Sequence, residues 1–487
     1  YGVGVDWPIS YESMFPFYEQ AELEMGVSAH VSEQEREGVV FRKGYEYPMQ
    51  QIPKSYLDRW LDRNLNGLKH KMGPDRLSVQ VVGTPAGRNG MPNPTYIDPR
   101  TKKPYQPQGA PYDSRMGQRC EGNSACVPIC PVMAKYNALR SLYTVEKDAA
   151  SRLEILTQTI ATKVLLSENG KEVTGILCKQ YDQEAAPTIR DQEFTVTGRA
   201  YVIAAHAIET AKLLLASNAA NSSDNVGRNL MDHPYFVTWG LAPSNARMGV
   251  FRGPQITSEI PMRDGKFRSE FAAFRADIRN GGWDFATGAP YTNVAQLSGK
   301  GLMGVNRRGR KVYGRELFGK ALREQLHSDV QRQISFGFQI EQLPSRNNRV
   351  TIDEKYKDQL GNYRPVITYD IGEYSRQGVV VAKGLSDAVF NRIGGEDCTQ
   401  PVPSAPGTIE IDGQPHTVYG AGHVVGTHCM GTKPGNSVVN KHQQTWDHHN
   451  LYLVGCGNMP TLGTSNPTLT AAAFAYKAVK RLRKILS

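Results

Sequence analysis

The 487-residue chain has no run of about 18 apolar residues, so no part of it reads as a membrane-spanning helix. It has no Cys-x-x-Cys-His, which excludes c-type haem carried on this chain itself. No nucleic-acid recognition motif accompanies its basic charge, so nucleic acid is not an expected partner. There is no internal repeat. Neither Met nor a signal-like apolar stretch stands at Tyr1, and the natural start is expected upstream. A nucleotide-binding βαβ unit is lacking too. Gly299-Lys-Gly301-Leu-Met-Gly304 has the G-x-G-x-x-G spacing, but a basic loop, Asn306-Arg-Arg-Gly-Arg-Lys, follows where a helix is needed, and the match reads as coincidence.

What is present describes a loop-rich globular protein with ample core: 39% hydrophobic residues, 47 Gly and 29 Pro. At about 150 residues per domain, three domains or two interleaved ones are expected. Net charge is +10, with basic clusters at Arg307, Arg308, Arg310 and Lys311 and at Lys480, Arg481, Arg483 and Lys484. These read first as solvated charge, the second complementing a helix C-terminus. Attraction of an anionic substrate, an acidic partner or a membrane surface is the alternative.

Along the chain, 5–30 predicts a turn feeding an amphipathic helix, and 85–118 a long Pro- and Gly-rich loop. A helix is expected around 138–150, with strands at Leu153-Glu-Ile-Leu and Thr162-Lys-Val-Leu-Leu. The apolar run Ala200–Ala205 predicts a strand leading into a helix over Ile208–Ser217. The 234–420 stretch is mixed, with strands at Val350-Thr-Ile and Val366-Ile-Thr-Tyr and a helix near 374–390; a last helix follows Asn466.

Two segments carry chemistry. In the first, Gly420-Ala-Gly-His423-Val-Val-Gly426-Thr427 and Gly463-Thr-Ser-Asn466-Pro467-Thr-Leu-Thr470 each deliver one polar side chain from a Gly-rich turn. Such paired loops suit a base and a hydrogen-bond donor held over a flat cofactor. An unperturbed His titrates near 6.5 and can take a proton at neutral pH; the alternative is a structural His in a Gly loop. Asn466 precedes Pro467, a typical first helical residue, and so also reads as an N-cap. The second segment is Cys120-x5-Cys126-x3-Cys130-Pro131, three of the seven cysteines; Cys178, Cys398, Cys429 and Cys456 are scattered, so no disulfide framework is expected. Thiolates so spaced in one loop can converge on an iron–sulfur cluster, and three suit a three-iron one. Zinc or three buried thiols are the alternatives, but zinc normally takes four ligands and no fourth Cys or His lies nearby. His442, His448 and His449 read as a solvated loop rather than a metal site.

These motifs, with Val5-Asp-Trp-Pro-Ile-Ser-Tyr11, Ala204-Ala-His-Ala-Ile-Glu-Thr210 and Asn225-Val-Gly-Arg-Asn-Leu-Met-Asp-His233-Pro234, resemble the glucose–methanol–choline (GMC) oxidoreductases. The resemblance implies an α/β fold in which a GMC-type FAD-binding domain is interleaved with a substrate domain built on an antiparallel sheet. The family's N-terminal FAD βαβ segment would precede this chain and is absent from it. Residues 1–115 are expected in the substrate domain and loops, 116–233 in the FAD-binding part with the cysteine loop, 234–420 in the substrate domain, and 421–487 in the FAD-binding part with the active-site loops. His423 and Asn466 take the catalytic positions. Pro467 and Thr468 would lie by the flavin pyrimidine, where a helix N-terminus stabilises reduced flavin. Gly455 and Cys456 would lie near the phosphates, and Ala161 near the adenine. His206 departs from the family's usual Gly.

The cysteine loop is similar to that of bacterial cytochrome-linked sugar and sugar-acid dehydrogenases. This implies a [3Fe–4S] cluster on Cys120, Cys126 and Cys130, and a heterotrimer with a cytochrome c subunit and a small subunit. Membrane attachment would come through the partner, on the periplasmic face of the bacterial inner membrane. The first expected reaction is oxidation of D-gluconate to 2-dehydro-D-gluconate. A neutral sugar or polyol substrate (sorbitol, fructose, glucose) is the runner-up, and a non-catalytic electron-relay or assembly subunit the reading from another class. An oxygen-using oxidase is disfavoured by the cysteine cluster.

Overall fold

The computed structural model describes residues 2–107, 117–122, 126, 130–182, 193–250, 252–281, 304–305, 311–312, 319–399, 401 and 406–487. The first helix, α1 (Tyr11–Met25), is capped by Ser10, whose hydroxyl accepts the Ser13 amide at 3.3 Å, and ends at Gly26 in the left-handed region (φ +60°). The next long helix, α2 (Tyr56–Leu65), opens on a reciprocal Ser55–Asp58 capping box, and its Leu57, Leu61 and Leu65 repeat every turn on one buried face.

A two-residue strand, β1 (Val82–Gly83), comes before the cysteine loop, and α3 (Ala138–Ala149) after it. Then β2 (Thr159–Leu166), β3 (Val173–Gln180) and β4 (Phe194–Val196) form a small antiparallel sheet. The strand expected at Leu153–Leu156 is not formed. It is irregular, with Ile155 and Leu156 exposed, because among the described residues no strand pairs with it. The apolar run β5 (Tyr201–Ile203) leads into α4 (Ala207–Ser217) as its sequence suggests.

The 234–420 stretch supplies most of a large antiparallel sheet: β6 (Pro234–Leu241), β7 (Ser258–Met262), β8 (Phe274–Arg279) and β9 (Gln333–Ile340), then helix α5 (Gly372–Ile393), then β10 (Glu396–Asp397), β11 (Thr408–Ile411) and β12 (Gln414–Gly420). The spatial order is β11-β12-β6-β9-β8-β7-β1, with β10 also pairing with β6. Period-2 alternation sorts the side chains. Ile260, Phe274, Ala276, Ile278, Phe336, Phe338 and Ile340 point to one face, where α2 and α5 cover them as the larger core. Gly378 of α5 permits this contact, since a Cβ there would lie 2.8 Å from the Ala272 Cβ. The same alternation sends Glu259, Arg275, Asp277 and Gln339 to the opposite face. In register, Arg275 pairs with Gln339 and Glu259 with Asp277.

The second core surrounds β5 and its parallel partner β13 (Leu451–Leu453), together with α4 and the final helix α6 (Thr468–Leu486). The first and last helices pack together: Trp7 and Phe474 rings lie 5.8 Å apart, and the Tyr18 and Thr470 hydroxyls are 3.0 Å apart. The strands expected near Val350 and Val366 form, at Arg349–Thr351 and Val366–Thr368, and pair with each other. Residues 299–303 of the Gly-rich run and Arg307, Arg308 and Arg310 lie outside the described residues. Among the described residues no helix is long and apolar enough to cross a membrane.

Candidate active site

Two loops converge after β12 and before α6. The first, Gly420–Thr427, is held by the segment that enters β6: the Asp232 carboxylate accepts the amides of Gly422 at 3.0 Å and His423 at 2.7 Å. Gly426 sits at φ +94° with its Cα so close to Asn229 that a Cβ would lie 2.1 Å from the Asn229 carbonyl oxygen, so only glycine fits.

His423 is half-buried and its ring stands perpendicular to that of His233, which is fully buried. The two Nδ1 atoms are 2.9 Å apart, and His233 Nε2 lies 2.7 Å from the Gly463 carbonyl oxygen. A carbonyl can only accept, so His233 carries its proton on Nε2 and presents a lone pair at Nδ1. His423 must therefore donate from its own Nδ1, which leaves His423 Nε2 as a bare lone pair. Burial, helped by His423, pushes His233 down to about 3. Burial also lowers His423, with Asp232 opposing and Arg275 reinforcing the shift. Both rings are neutral at pH 7. His233 also joins the two loops, because Gly463 belongs to the loop of Asn466. Its neighbours in sequence, Asp232 and Pro234 at the mouth of a strand, were the signal for it; its partner is 190 positions away.

Asn466 does not cap α6. Pro467 is the N-cap and makes no side-chain cap bond, while Asn466 Oδ1 accepts from Arg275 Nη2 at 2.6 Å. The guanidinium out-competes the helix amides for that oxygen, since charge-assisted bonds are the stronger. Asn466 is thereby oriented with its Nδ2 donor free for a ligand. Arg275 in turn pairs with Glu259 at 2.8 Å and lies 3.4 Å from Asp277, and Arg263 ties Glu259 to Glu37. Burial and the neighbouring Glu259 raise Glu37 to about 8. Asn466, Thr468, Arg275, Asp277 and Gln339 border a cavity of about 630 Å³ that extends to Glu22 and Tyr45.

Two models described as GMC oxidoreductase match residues 107–235 and 344–475. The fructose dehydrogenase large subunit of Gluconobacter japonicus is 32% identical over 98% of this chain and 74% of its own length. The chain belongs to the GMC oxidoreductase family. A 2-methyl-1,2-propanediol dehydrogenase of Mycolicibacterium austroafricanum is 26% identical over 97% of this chain and 74% of its own. The gluconate 2-dehydrogenase flavoprotein of Pantoea cypripedii is 37% identical over only 14% of this chain and 11% of its own. Among solved structures, pyridoxine 4-oxidase from Mesorbium loti superposes with a TM-score of 0.57 at 16% identity, covering 99% of this chain and 79% of that one. The GMC fold, mixed α/β with antiparallel sheets, is thus shown.

FAD is the cofactor of a GMC oxidoreductase, and the residues expected near it leave room for one. Gly455, at φ +122°, and Gly463 would carry a Cβ into open space. Ala161 is exposed at a bulge of β2, and Cys456 is half-buried beside Gly455. The first turn of α6, with exposed Thr468 after Pro467, has no acidic residue and no side-chain cap, so its amides and dipole are free for an electron-rich ring edge. His206 explains its own oddity in part: at φ +68°, ψ 157° it occupies a conformation suited to glycine, and its Nδ1 accepts the Ile208 amide at the start of α4.

The cysteine loop fits less well. Cys126 is buried, Cys120 and Cys130 are half-buried, and Cys130 Sγ accepts the Ala134 amide at 3.3 Å. Among the described residues, however, no three His, Cys, Asp or Glu side chains are arranged to hold a metal ion. Cys120, Cys126 and Cys130, the expected ligand set, are not brought together as one site. His448 corrects another expectation. It is buried, not solvated: Nε2 accepts the Ala220 amide at 2.9 Å and Nδ1 donates to the Gly170 carbonyl at 2.8 Å.

Proposed function

We propose that this chain oxidises an alcohol carbon of a sugar or polyol, with His423 as the base and Asn466 as the group that holds the substrate oxygen. The observation that carries the reading is the hydrogen-bond chain Gly463–His233–His423, which leaves His423 Nε2 unprotonated and fixed. Bound FAD would take the hydride; the protein's task is to remove the hydroxyl proton and aim the carbon. A base of this kind typically contributes about 10²–10⁴-fold. Asn466 donates from Nδ2, its oxygen being engaged by Arg275.

A sugar-type substrate is supported by the near full-length likeness to a fructose dehydrogenase large subunit. The gluconate reading is favoured by Arg88, which borders the cavity with Nε and Nη1 unpartnered. The proposal extends to a [3Fe–4S] cluster on Cys120, Cys126 and Cys130, which requires the loop to draw the three sulfurs together. It also extends to a cytochrome c subunit and a small subunit on the periplasmic face of the inner membrane. The x5 and x3 spacing and the amide bond to Cys130 support the cluster. Iron and acid-labile sulfide analysis tests it.

Anaerobic visible spectroscopy of the flavin-loaded protein tests the activity. The flavin band is expected to bleach with D-fructose or D-sorbitol. Bleaching by D-gluconate alone would hand the reading to the sugar acid, and no bleaching by any alcohol would overturn it.

A further inference from the structure

The geometry points to a hydroxyl-reading floor on the large sheet: Asp277 and Gln339, flanked by Arg275 and Thr84, bind the hydroxyls of a neutral polyhydroxylated substrate beside Asn466. This deepens the alcohol-oxidation reading and rests on it for the site's purpose.

The floor is built by register. Asp277 and Arg275 alternate with core residues on β8, and Gln339 faces Arg275 from β9. Asp277, Arg275 and Gln339 are at least nine-tenths buried, Thr84 is half-buried, and all four border the cavity that Asn466 also lines. Among the described residues Gln339 Oε1, Arg275 Nε and Thr84 Oγ1 have no hydrogen-bond partner, and Asp277 Oδ1 has only the ion pair with Arg275 Nη2 at 3.4 Å. Buried polar groups are satisfied in the great majority of folds, so this many orphans along one cavity describe a polar ligand. Their chemistry narrows it. Gln339 Oε1 can only accept, and both Asp277 oxygens face donors, Gln339 Nε2 at 3.0 Å from Oδ2 and Arg275 Nη2 at 3.4 Å from Oδ1. The bare acceptor calls for a donor, which a hydroxyl supplies and a carboxylate does not. Charge agrees. Arg275 is already matched by Glu259 and lies against Asp277, so the floor offers no free cation to a sugar acid. Arg88 is the cavity feature that suits a carboxylate, which makes D-gluconate the necessary comparison.

Saturation-transfer NMR on the flavin-loaded, full-length protein, anaerobic and without an electron acceptor so that reaction stops after one flavin reduction, reads binding with D-sorbitol and D-gluconate as probes. Sorbitol is expected to bind the wild type, to weaken about 10- to 100-fold in Gln339→Leu, and to weaken several-fold in the near-isosteric Thr84→Val, with melting temperature and flavin content as checks on folding. In turnover, the ratio of kcat/KM for sorbitol to that for 1,2-propanediol falls in both variants. Tighter binding of gluconate than sorbitol, no sorbitol binding by the wild type, or wild-type binding by both variants overturns the floor. A wild type that binds sorbitol floor-dependently while its flavin stays oxidised upholds the floor and sinks only the oxidation reading.

Discussion

Replacing His233 by Leu removes the acceptor for His423 Nδ1–H without touching the proposed base. The ring is fully buried, so the Nδ1–H of His423 loses its partner where water is scarce, and the Gly463 carbonyl loses its donor as well. A buried group left unpaired costs about 1–3 kcal/mol. At 1.36 kcal/mol per factor of ten, the rate of proton removal should fall about 5- to 150-fold if that cost falls on the active tautomer. The assay is stopped-flow flavin reduction under saturating substrate, which separates the chemical step from binding. The maximal rate should drop while the substrate concentration at half-saturation changes little. His233→Asn, whose Oδ1 can stand near the lost Nδ1, should recover part of the rate. A structural role alone would lower flavin content and melting temperature in step with the rate, and Asn would not rescue it. Reduction at the wild-type rate in His233→Leu would refute the tautomer argument.

Arg275→Met removes a positive charge that helps hold His423 low and frees Asn466, so turnover should fall and the acid limb of kcat/KM should move up toward pH 6.5; an unmoved limb counts against that coupling. Glu22, buried against Tyr45, is raised to about 8 by burial, so the native state keeps a proton that the unfolded chain releases near 4.5. Native binding of the extra proton makes stability fall as pH rises from about 4.5 to 8, and Glu22→Gln should raise the melting temperature more at pH 8 than at pH 5 by scanning calorimetry. Phe338→Ala, at the centre of the larger core, should cost about 3–5 kcal/mol in denaturant unfolding. Gly426→Ala must displace the Asn229 carbonyl and with it the His423 loop, so it should lose activity before it loses the sheet, as read by flavin reduction against circular dichroism.

What could be read in the chain was local. The α1 helix carries its Ser10 cap with it, α6 its periodicity, and the loops of His423 and Asn466 announce themselves by glycine spacing. The large sheet was hidden for a physical reason. Its strands alternate, but the outward members Glu259, Arg275 and Asp277 are charged and buried, so the pattern resembles a solvated edge until the strands are paired. Leu153–Leu156 misled in the opposite direction, being apolar yet unpaired and exposed in part. His233 acts only across 190 residues, and Asn466 prefers a distant guanidinium to its own helix. Local motifs mark these residues, Asp232-His233-Pro234 and Asn466-Pro467, but not the bonds they make.

The packing of the first helix on the last has a consequence in time. About 440 residues separate the end of α1 from the start of α6, which at about 5–20 residues per second is some tens of seconds of synthesis. Throughout that interval Phe17, Tyr18 and Trp7 lack Phe474 and Thr470 and the Lys480 ammonium that lies over the Phe17 ring. Nor can β5 find its parallel partner β13 sooner. The half of the molecule that frames His423 and Asn466 therefore closes only when the final stretch of chain emerges, and a ribosome that stalls short of Leu451 releases a protein with a finished sheet and an open clasp.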